Sequence, residues 1–100
     1  MFDLDGWHAR GHRYVHRGHP VFYAEEGSGP ALLLIHGFPT ASWDWTPIWT
    51  GLTDRFRVIA PDLLGFGFSA KPGGYEYSIM DQAQLCSGLL AEGGVHEADV

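Results

Sequence analysis

The residues best suited to chemistry in this chain are His36-Gly37-Phe38-Pro39, which directly follow an apolar run. Gly37 lets the backbone turn sharply, so the amide hydrogen of Phe38 could point into a cavity and stabilise a negatively charged oxygen. Pro39 has no amide hydrogen, and a cis bond before it would fix the direction of the preceding amide. We therefore predict Phe38 as a backbone oxyanion donor. His36, Gly37 and Pro39 are assigned supporting roles in the loop, since a His at the end of a buried strand is usually a structural hydrogen-bonding group.

A strand and a helix are predicted on the two sides of this loop. Residues 31–35 form a continuous apolar run with no polar face, which is typical of a strand buried on both sides in a parallel sheet covered by helices. After the loop, Thr40 or Ser42 is available to cap a helix. The apolar residues of that predicted helix are Trp45, Ile48, Trp49 and Leu52.

The remaining elements follow from similar patterns. Residues 13–25 predict a β-hairpin around Arg17-Gly18, and residues 56–60 predict a second apolar strand. Ser78, with an acidic residue three positions later, predicts the start of a second helix, which Gly93-Gly94 would end. Its predicted apolar face is Ile79, Ala83, Cys86 and Leu90, and residues 95–100 suggest the beginning of a further strand.

This order of elements predicts an α/β fold in which a β-hairpin precedes a β-α-β-α segment of a mostly parallel sheet. At 100 residues, the chain is long enough for one domain. We assign residues 1–12 to an N-terminal extension and residues 13–100 to the N-terminal part of a single α/β domain. Loops at the carboxyl ends of parallel strands are where such sheets bind ligands, which favours the loop at residues 36–39 as the site.

Composition excludes several classes of function. Twelve acidic residues against six basic ones give a formal net charge of -6, which argues against nucleic-acid binding. The longest apolar run is far below the roughly 18 residues that a membrane span needs. The single cysteine, Cys86, permits no internal disulfide and is interpreted as a small buried apolar residue. We predict no cofactor and no metal site, and we expect the cytoplasm, because the acidic amino terminus lacks the features of a secretory signal.

Two motifs resemble a known family. Residues 32–39 resemble the oxyanion strand and loop of the α/β-hydrolase fold family, and residues 60–72 resemble the segment after the next strand in epoxide hydrolases and haloalkane dehalogenases. The chain is most similar to the mesoderm-specific transcript homologue group from about residue 23 onwards. The residues that carry this similarity are Phe38-Pro39-Thr40, Ser42, Asp44-Trp45, Ile48-Trp49, Leu64-Gly65-Phe66-Gly67-Phe68-Ser69 and Tyr77-Ser78-Ile79.

The resemblance implies a hydrolase of small molecules that attacks its substrate with an Asp carboxylate, with the Phe38 amide as one of two oxyanion donors. In the family this Asp follows the next strand, beyond Val100. The acid, the catalytic His and the cap also lie outside these 100 residues, which contain no G-x-S-x-G motif. Dehalogenases of this type carry Asn at the position of Phe38. This departure favours epoxide or ester hydrolysis over dehalogenation.

Several alternatives stand beside this interpretation. The chain is also consistent with a non-catalytic fragment, or a piece that interacts through an open strand edge, and with a carboxylesterase-type hydrolase. Trp43 is a weak candidate for lining a substrate pocket. Asp3 lies in a partial match to an aspartyl-phosphate motif, which predicts phosphoryl transfer, and residues 65–70 match a dinucleotide-binding pattern by letter. Neither match has the surrounding elements that its fold requires. Oligomeric state and substrate are left open.

Overall fold

A computed structural model describes residues 3–37, 40–98 and 100. Its strands form one sheet in the order β1-β2-β4-β3. Strand β2 pairs antiparallel with β1 and β4, and β3 pairs parallel with β4. The elements are α1 (Leu4–Arg10), β1 (His12–His16), β2 (His19–Glu26), β3 (Ala31–Leu33), a 3-10 turn (Ser42–Trp45), α2 (Thr46–Thr53), β4 (Arg57–Pro61) and α3 (Ile79–Glu92).

The predicted β-hairpin is confirmed, and the conformation of its turn explains why the two strands pair. Arg17 and Gly18 both have positive φ angles, +50° and +81°, and they join His16 to His19 across the end of the two strands. A two-residue turn with both central residues in this region has a backbone twist that matches the right-handed twist of paired strands. Gly18 adopts this conformation at no steric cost.

Side chains on the two faces of the sheet form two separate apolar clusters. Along β2, Val21 belongs to one cluster and Phe22 to the other, and along β4 Ile59 and Val58 divide in the same way. Successive residues of a strand point to opposite faces, so each strand contributes to both layers. The cluster on the α3 face consists of Val21, Leu33, Ile59, Leu64, Leu85, Cys86 and Leu89. The cluster on the α1 and α2 face consists of Trp7, Phe22, Ala24, Trp49, Val58 and Ala60.

The predicted strand–helix–strand unit is confirmed by β3, α2 and β4, although β3 is shorter than expected. It lies at the end of the sheet order and has β4 as its neighbour on one side. Leu33 is buried, whereas Ile35 beyond the strand is 43% exposed. The prediction that residues 31–35 are buried on both sides is therefore wrong at the carboxyl end of the run, because a strand at the end of a sheet is covered less completely than a central one.

Helix α3 begins and ends where predicted, and it buries part of the predicted apolar face. The amide of Asp81 donates to Ser78 Oγ at 3.0 Å, and the helix ends at Gly93. Of the predicted face, Cys86 is buried and Leu90 packs against the same cluster, whereas Ile79 is 91% exposed and Ala83 is exposed. The prediction is therefore wrong for the first turns of the helix, because the sheet buries Leu85 and Leu89 beside Cys86.

Both ends of the chain differ from the sequence-based expectation. Within residues 1–12, assigned to an extension, α1 forms with Asp3 as its cap, since the Gly6 amide donates to Asp3 Oδ1 at 2.7 Å. Trp7 of this helix has no exposed surface. At the other end, the described residues between 95 and 100 contain no strand, so that prediction is wrong for this part of the chain.

Candidate functional site

His36 joins the loop after β3 to the loop after β4. Its side chain is buried, and its Nε2 lies 3.0 Å from the amide nitrogen of Leu63. An amide N–H can only donate, so Nε2 accepts and carries no proton. The proton of the neutral ring therefore lies on Nδ1, which donates to the Gly37 carbonyl at 2.8 Å. The supporting role predicted for His36 thus corresponds to a defined tautomer with a partner on each ring nitrogen.

The carbonyl oxygen of Gly37 is the point at which the loop contacts converge. Besides His36 Nδ1, it accepts hydrogen bonds from the Thr40 amide at 3.0 Å and from Thr40 Oγ1 at 2.9 Å. Three donors therefore hold one peptide oxygen. The contribution of Thr40 was missed in the sequence, although a Thr whose hydroxyl returns to the backbone three residues earlier is a common local motif.

The carboxylate of Asp62 holds the segment that follows β3 and the loop that follows β4. It is 1% exposed, and its two carboxylate oxygens accept backbone hydrogen bonds, Oδ1 from Ser42 at 2.7 Å and Oδ2 from Phe68 at 2.8 Å. Gly67 lies against this carboxylate, because a Cβ atom there would be 2.2 Å from Asp62 Oδ2. Both oxygens are occupied by backbone donors, so the carboxylate fixes the shape of the surrounding chain.

The glycine-rich segment that follows is a compact loop and does not open a helix. Ser69 Oγ accepts from the Phe22 amide at 2.9 Å and donates to the Asp62 carbonyl at 2.5 Å. Gly65 has a φ of +90°, and α3 begins only at Ile79. A dinucleotide-binding loop must lead directly into a helix. The letter match at residues 65–70 therefore does not form such a site.

A largely apolar cavity of about 500 Å³ lies beside these loops. Ile35 follows β3 and Leu63 follows β4, so the cavity opens at the carboxyl ends of the parallel strands, where α/β sheets bind ligands. Burial raises the pKa of the Cys86 thiol, which keeps it protonated and unreactive. The lining residues are Ile35, Leu63, Tyr77, Ser78, Ile79, Gln82, Ala83 and Cys86.

The remaining predicted site residues fall in different places. Phe38 and Pro39 lie outside the described residues. Trp43 packs against the cluster on the α1 and α2 face, and its buried Nε1 has no hydrogen-bond partner. The predicted helix cap is wrong, because neither Thr40 nor Ser42 caps α2. Thr40 donates to Gly37, and the Ser42 hydroxyl accepts from a tryptophan of α1.

A second polar cluster lies at the start of α3, away from the loop. Asp81 accepts from Tyr75 OH at 2.5 Å, and its other carboxylate oxygen lies 3.1 Å from His16 Nε2 and 2.8 Å from Arg17 Nε. The hydrogen bond from Tyr75 holds the pKa of Asp81 below its ordinary value of 3.8, with His16 and Arg17 adding to the effect. The same bond raises the pKa of Tyr75. This cluster attaches α3 to the hairpin turn.

Neither a metal-binding cluster nor a membrane-spanning helix occurs within the described ranges. Residues 3–37, 40–98 and 100 contain no group of three or more His, Cys, Asp or Glu side chains placed to hold a metal ion. Among the helices of these same residues, none is both long and apolar enough to cross a membrane.

The fold agrees with comparisons to known proteins. A family model described as alpha/beta hydrolase fold matches residues 30–98. The chain belongs to the α/β-hydrolase family. This hydrolase-fold chain is 46% identical over 97 residues to the mesoderm-specific transcript protein of Mus musculus, a match that covers 92% of the chain. It is 48% identical over 65 residues, 65% of the chain, to haloalkane dehalogenase 2 of Mycobacterium tuberculosis. The predicted resemblances to the mesoderm-specific transcript group and to haloalkane dehalogenases are confirmed.

Solved structures of α/β hydrolases superpose on the chain in the same way. An alpha/beta hydrolase fold protein from Burkholderia ambifaria gives a TM-score of 0.83 at 35% identity, covering 98% of this chain and 34% of its own. The epoxide hydrolase CorEH gives a TM-score of 0.79 at 33% identity. This match covers 84% of the present chain and 29% of CorEH. The mouse relative is matched over 29% of its length and the mycobacterial dehalogenase over 23%. The predicted fold class is confirmed, and the chain spans about a third or less of each of these proteins.

Proposed function

We propose that this chain is the N-terminal part of an epoxide-hydrolase-like enzyme and supplies its oxyanion-hole loop. In the full-length parent, an Asp carboxylate attacks a carbon of the epoxide ring, the C–O bond breaks, and the resulting alkoxide takes up a proton. Water then gives up a proton to the catalytic His of the parent and attacks the carbonyl carbon of the covalent ester. The tetrahedral intermediate collapses with cleavage of the ester C–O bond, which releases the diol and restores the carboxylate. The backbone amide of Phe38 donates to the oxyanion that forms at this second step. The observation that carries the proposal is the convergence of three donors on the Gly37 carbonyl.

Peptide geometry connects that carbonyl to the proposed donor. A trans peptide group is planar, with its C=O and the following N–H pointing in opposite directions. Contacts that hold the Gly37 carbonyl therefore restrict the peptide plane to which this carbonyl belongs, and we propose that the following amide is the donor. His36 and Thr40 provide these contacts, so the donor needs little reorganisation when negative charge develops. This argument supports the role proposed for Phe38 and the supporting roles of His36 and Gly37.

The substrate class is inferred from two further observations. The cavity beside the loop is lined mainly by apolar side chains, which suits a small apolar substrate. Phe38 stands where the dehalogenases of this family carry Asn, so this chain lacks that side-chain donor to a leaving halide. Epoxide hydrolysis is therefore favoured, with ester hydrolysis as the neighbouring alternative.

The test uses the longest natural protein that contains these 100 residues. It would be assayed with styrene oxide, 1-bromobutane and p-nitrophenyl acetate. We expect diol formation from styrene oxide to be the fastest reaction. A single turnover in H₂¹⁸O should give diol without ¹⁸O, because the oxygen added to the substrate comes from the enzyme carboxylate while water enters the carboxylate. Turnover of p-nitrophenyl acetate alone would support the carboxylesterase-type alternative and contradict the epoxide-hydrolase proposal.

The loop itself is tested by Thr40→Val, which removes the hydroxyl donor to Gly37 and retains the side-chain shape. We expect kcat for styrene oxide to fall about tenfold with KM unchanged, as the loss of one hydrogen bond that matters in the transition state predicts. Thr53→Val is the matched control, since its hydroxyl donates to a helix carbonyl, that of Thr50. Equal kcat values for the two variants would contradict the role of the loop.

A second candidate function is that of a non-catalytic piece which interacts through its sheet edge. The position of β3 at the end of the sheet order, with Ile35 exposed beside it, favours this candidate. Absence of turnover on all three substrates by the longest natural product would support it over the enzyme.

A further inference from the structure

Helix α1 contacts the loop region through the ring of His8, which stacks on Phe68, and through its buried tryptophan, Trp7. Trp7 has no exposed surface, and its ring meets Trp49 edge to face with the ring centroids 4.9 Å apart. Its indole Nε1–H donates to Ser42 Oγ at 3.1 Å. Ser42 is also fully buried, so water cannot replace this bond from outside. The side chain thus combines apolar packing with one directed polar contact to a residue 35 positions away.

Ser42 is held firmly just before α2. Its amide donates to Asp62 Oδ1 at 2.7 Å, and the other oxygen of that carboxylate accepts from Phe68 at 2.8 Å. A continuous series of buried hydrogen bonds therefore runs from α1 through Ser42 and Asp62 to the loop after β4. On the other side of the turn, the chain is held by the amide of Leu34, which donates to Ile59 at 2.9 Å.

We propose that Trp7 is a positioning residue for the loop between β3 and α2. This proposal rests on the oxyanion role proposed above for that loop. The hydrogen bonds of Leu34 and Ser42 hold the two ends of this loop. Without the indole donor, Ser42 keeps only its amide contact to Asp62, and its hydroxyl loses a partner in an environment without water. The N-terminal helix then acts on catalysis without touching the substrate.

The experiment compares Trp7→Phe with Trp49→Phe in the longest natural protein that contains the chain. Both tryptophans are buried on the same face, and both indoles donate a hydrogen bond, that of Trp49 to Glu26. The two variants therefore lose equivalent groups, but only Trp7→Phe removes the link to Ser42. Readouts are amide hydrogen exchange at Ser42 and Phe68 relative to the core strand residue Val58, together with kcat and KM for styrene oxide.

For Trp7→Phe, we expect exchange at Ser42 and Phe68 to rise about tenfold relative to Val58, with kcat reduced by a similar factor and KM unchanged, the size expected for one buried hydrogen bond. For Trp49→Phe, any change should be the same at all three amides. Ser42→Ala should reproduce the effect of Trp7→Phe, and combining the two should add no further loss.

The outcomes separate this proposal from the one on which it rests. Equal exchange and equal kcat for the two tryptophan variants, in a protein that hydrolyses the epoxide, would overturn the role of Trp7 and leave the proposed function intact. Selective exchange at Ser42 and Phe68, in a protein that hydrolyses none of the substrates, would confirm the link and contradict the oxyanion function. A uniform loss of protection in Trp7→Phe would also overturn the proposal, since it would show only a general role in stability.

Discussion

Single residues hold the candidate site through backbone contacts more than through reactive side chains. His36 accepts from Leu63 and donates to Gly37, and Asp62 accepts from Ser42 and Phe68. A His and an Asp in one loop region suggest acid–base chemistry at first sight. In this structure both groups have their polar atoms occupied by the backbone, so their part is to fix the shape of the two loops.

At this scale, Gly67→Ala tests the contact with Asp62. Gly67 has a φ of +53°, and a Cβ atom there would lie 2.2 Å from Asp62 Oδ2 and 2.9 Å from Ala41 Cβ. We expect the free energy of unfolding to fall by about 2 kcal/mol or more, from backbone strain and displacement of a buried carboxylate. Gly73→Ala is the control, since nothing lies within 4 Å of its Cβ position. Chemical denaturation measures both, and equal stabilities would contradict the close packing at Asp62.

At the scale of elements, α3 is attached to the hairpin by a charged cluster as well as by the apolar side chains that it packs against Val21 of β2. Asp81 lies between Tyr75 and the pair His16 and Arg17, while the exposed Ile79 makes no comparable contact with the core. The amide of Asp81 also takes part in the cap at Ser78. One acidic residue therefore fixes both the start of the helix and its link to the sheet.

The lowered pKa of Asp81 predicts a dependence of stability on pH. The pKa is lower in the folded chain than in the unfolded one, so the folded state binds protons less readily. The contribution of Asp81 is then fully present above its ordinary value of 3.8 and is lost as pH falls through the lower folded pKa. We expect Asp81→Asn to be less stable than the wild type at about pH 5. Thermal melts between about pH 5 and pH 2 should show the melting temperatures of the two proteins converging as the pH falls. Exposed Asp5→Asn is the control, and parallel curves for all three proteins would contradict the prediction.

At the scale of the whole molecule, helices cover the two faces of the sheet, while β1 and β3 form its edges. Strand β3 ends the sheet order, and Ile35 and Tyr77 lie at the cavity beside it, both more than 40% exposed. Unpaired strand groups next to apolar surface favour pairing with another chain. The net charge of -6 opposes such contacts without removing them.

This arrangement predicts that the 100-residue chain self-associates and that Ile35→Lys reduces the association. A charge at this position would have to be buried in any contact made through the β3 edge. Ile48→Lys is the matched control, because Ile48 is similarly exposed, at 50%, but lies on α2. Light scattering after size-exclusion chromatography over a range of concentrations measures the mass. A monomeric wild-type chain, or the same mass for both variants, would contradict the prediction.

Local interactions explain what the sequence by itself determined. Arg17-Gly18 encodes the hairpin turn, Ser78 encodes the start of α3, and the apolar runs near β3 and β4 encode the strand–helix–strand unit. Each depends on neighbours within a few residues, so each is visible as a pattern. The prediction that His36 and Gly37 lie in a loop directly after a strand also followed from such a pattern.

Tertiary structure alone decided which of these elements meet. The contact of Trp7 with Ser42 joins residues 35 positions apart, and that of His16 with Asp81 joins residues 65 apart. No local preference encodes such pairs, because the residues around each side chain do not determine which distant residue it will meet. The same holds for the buried face of α3, where helical spacing permits several stripes and the sheet selects the one containing Leu85 and Leu89. Only packing of the whole chain fixes these choices, since a buried polar group that lacks a partner costs free energy when water is excluded.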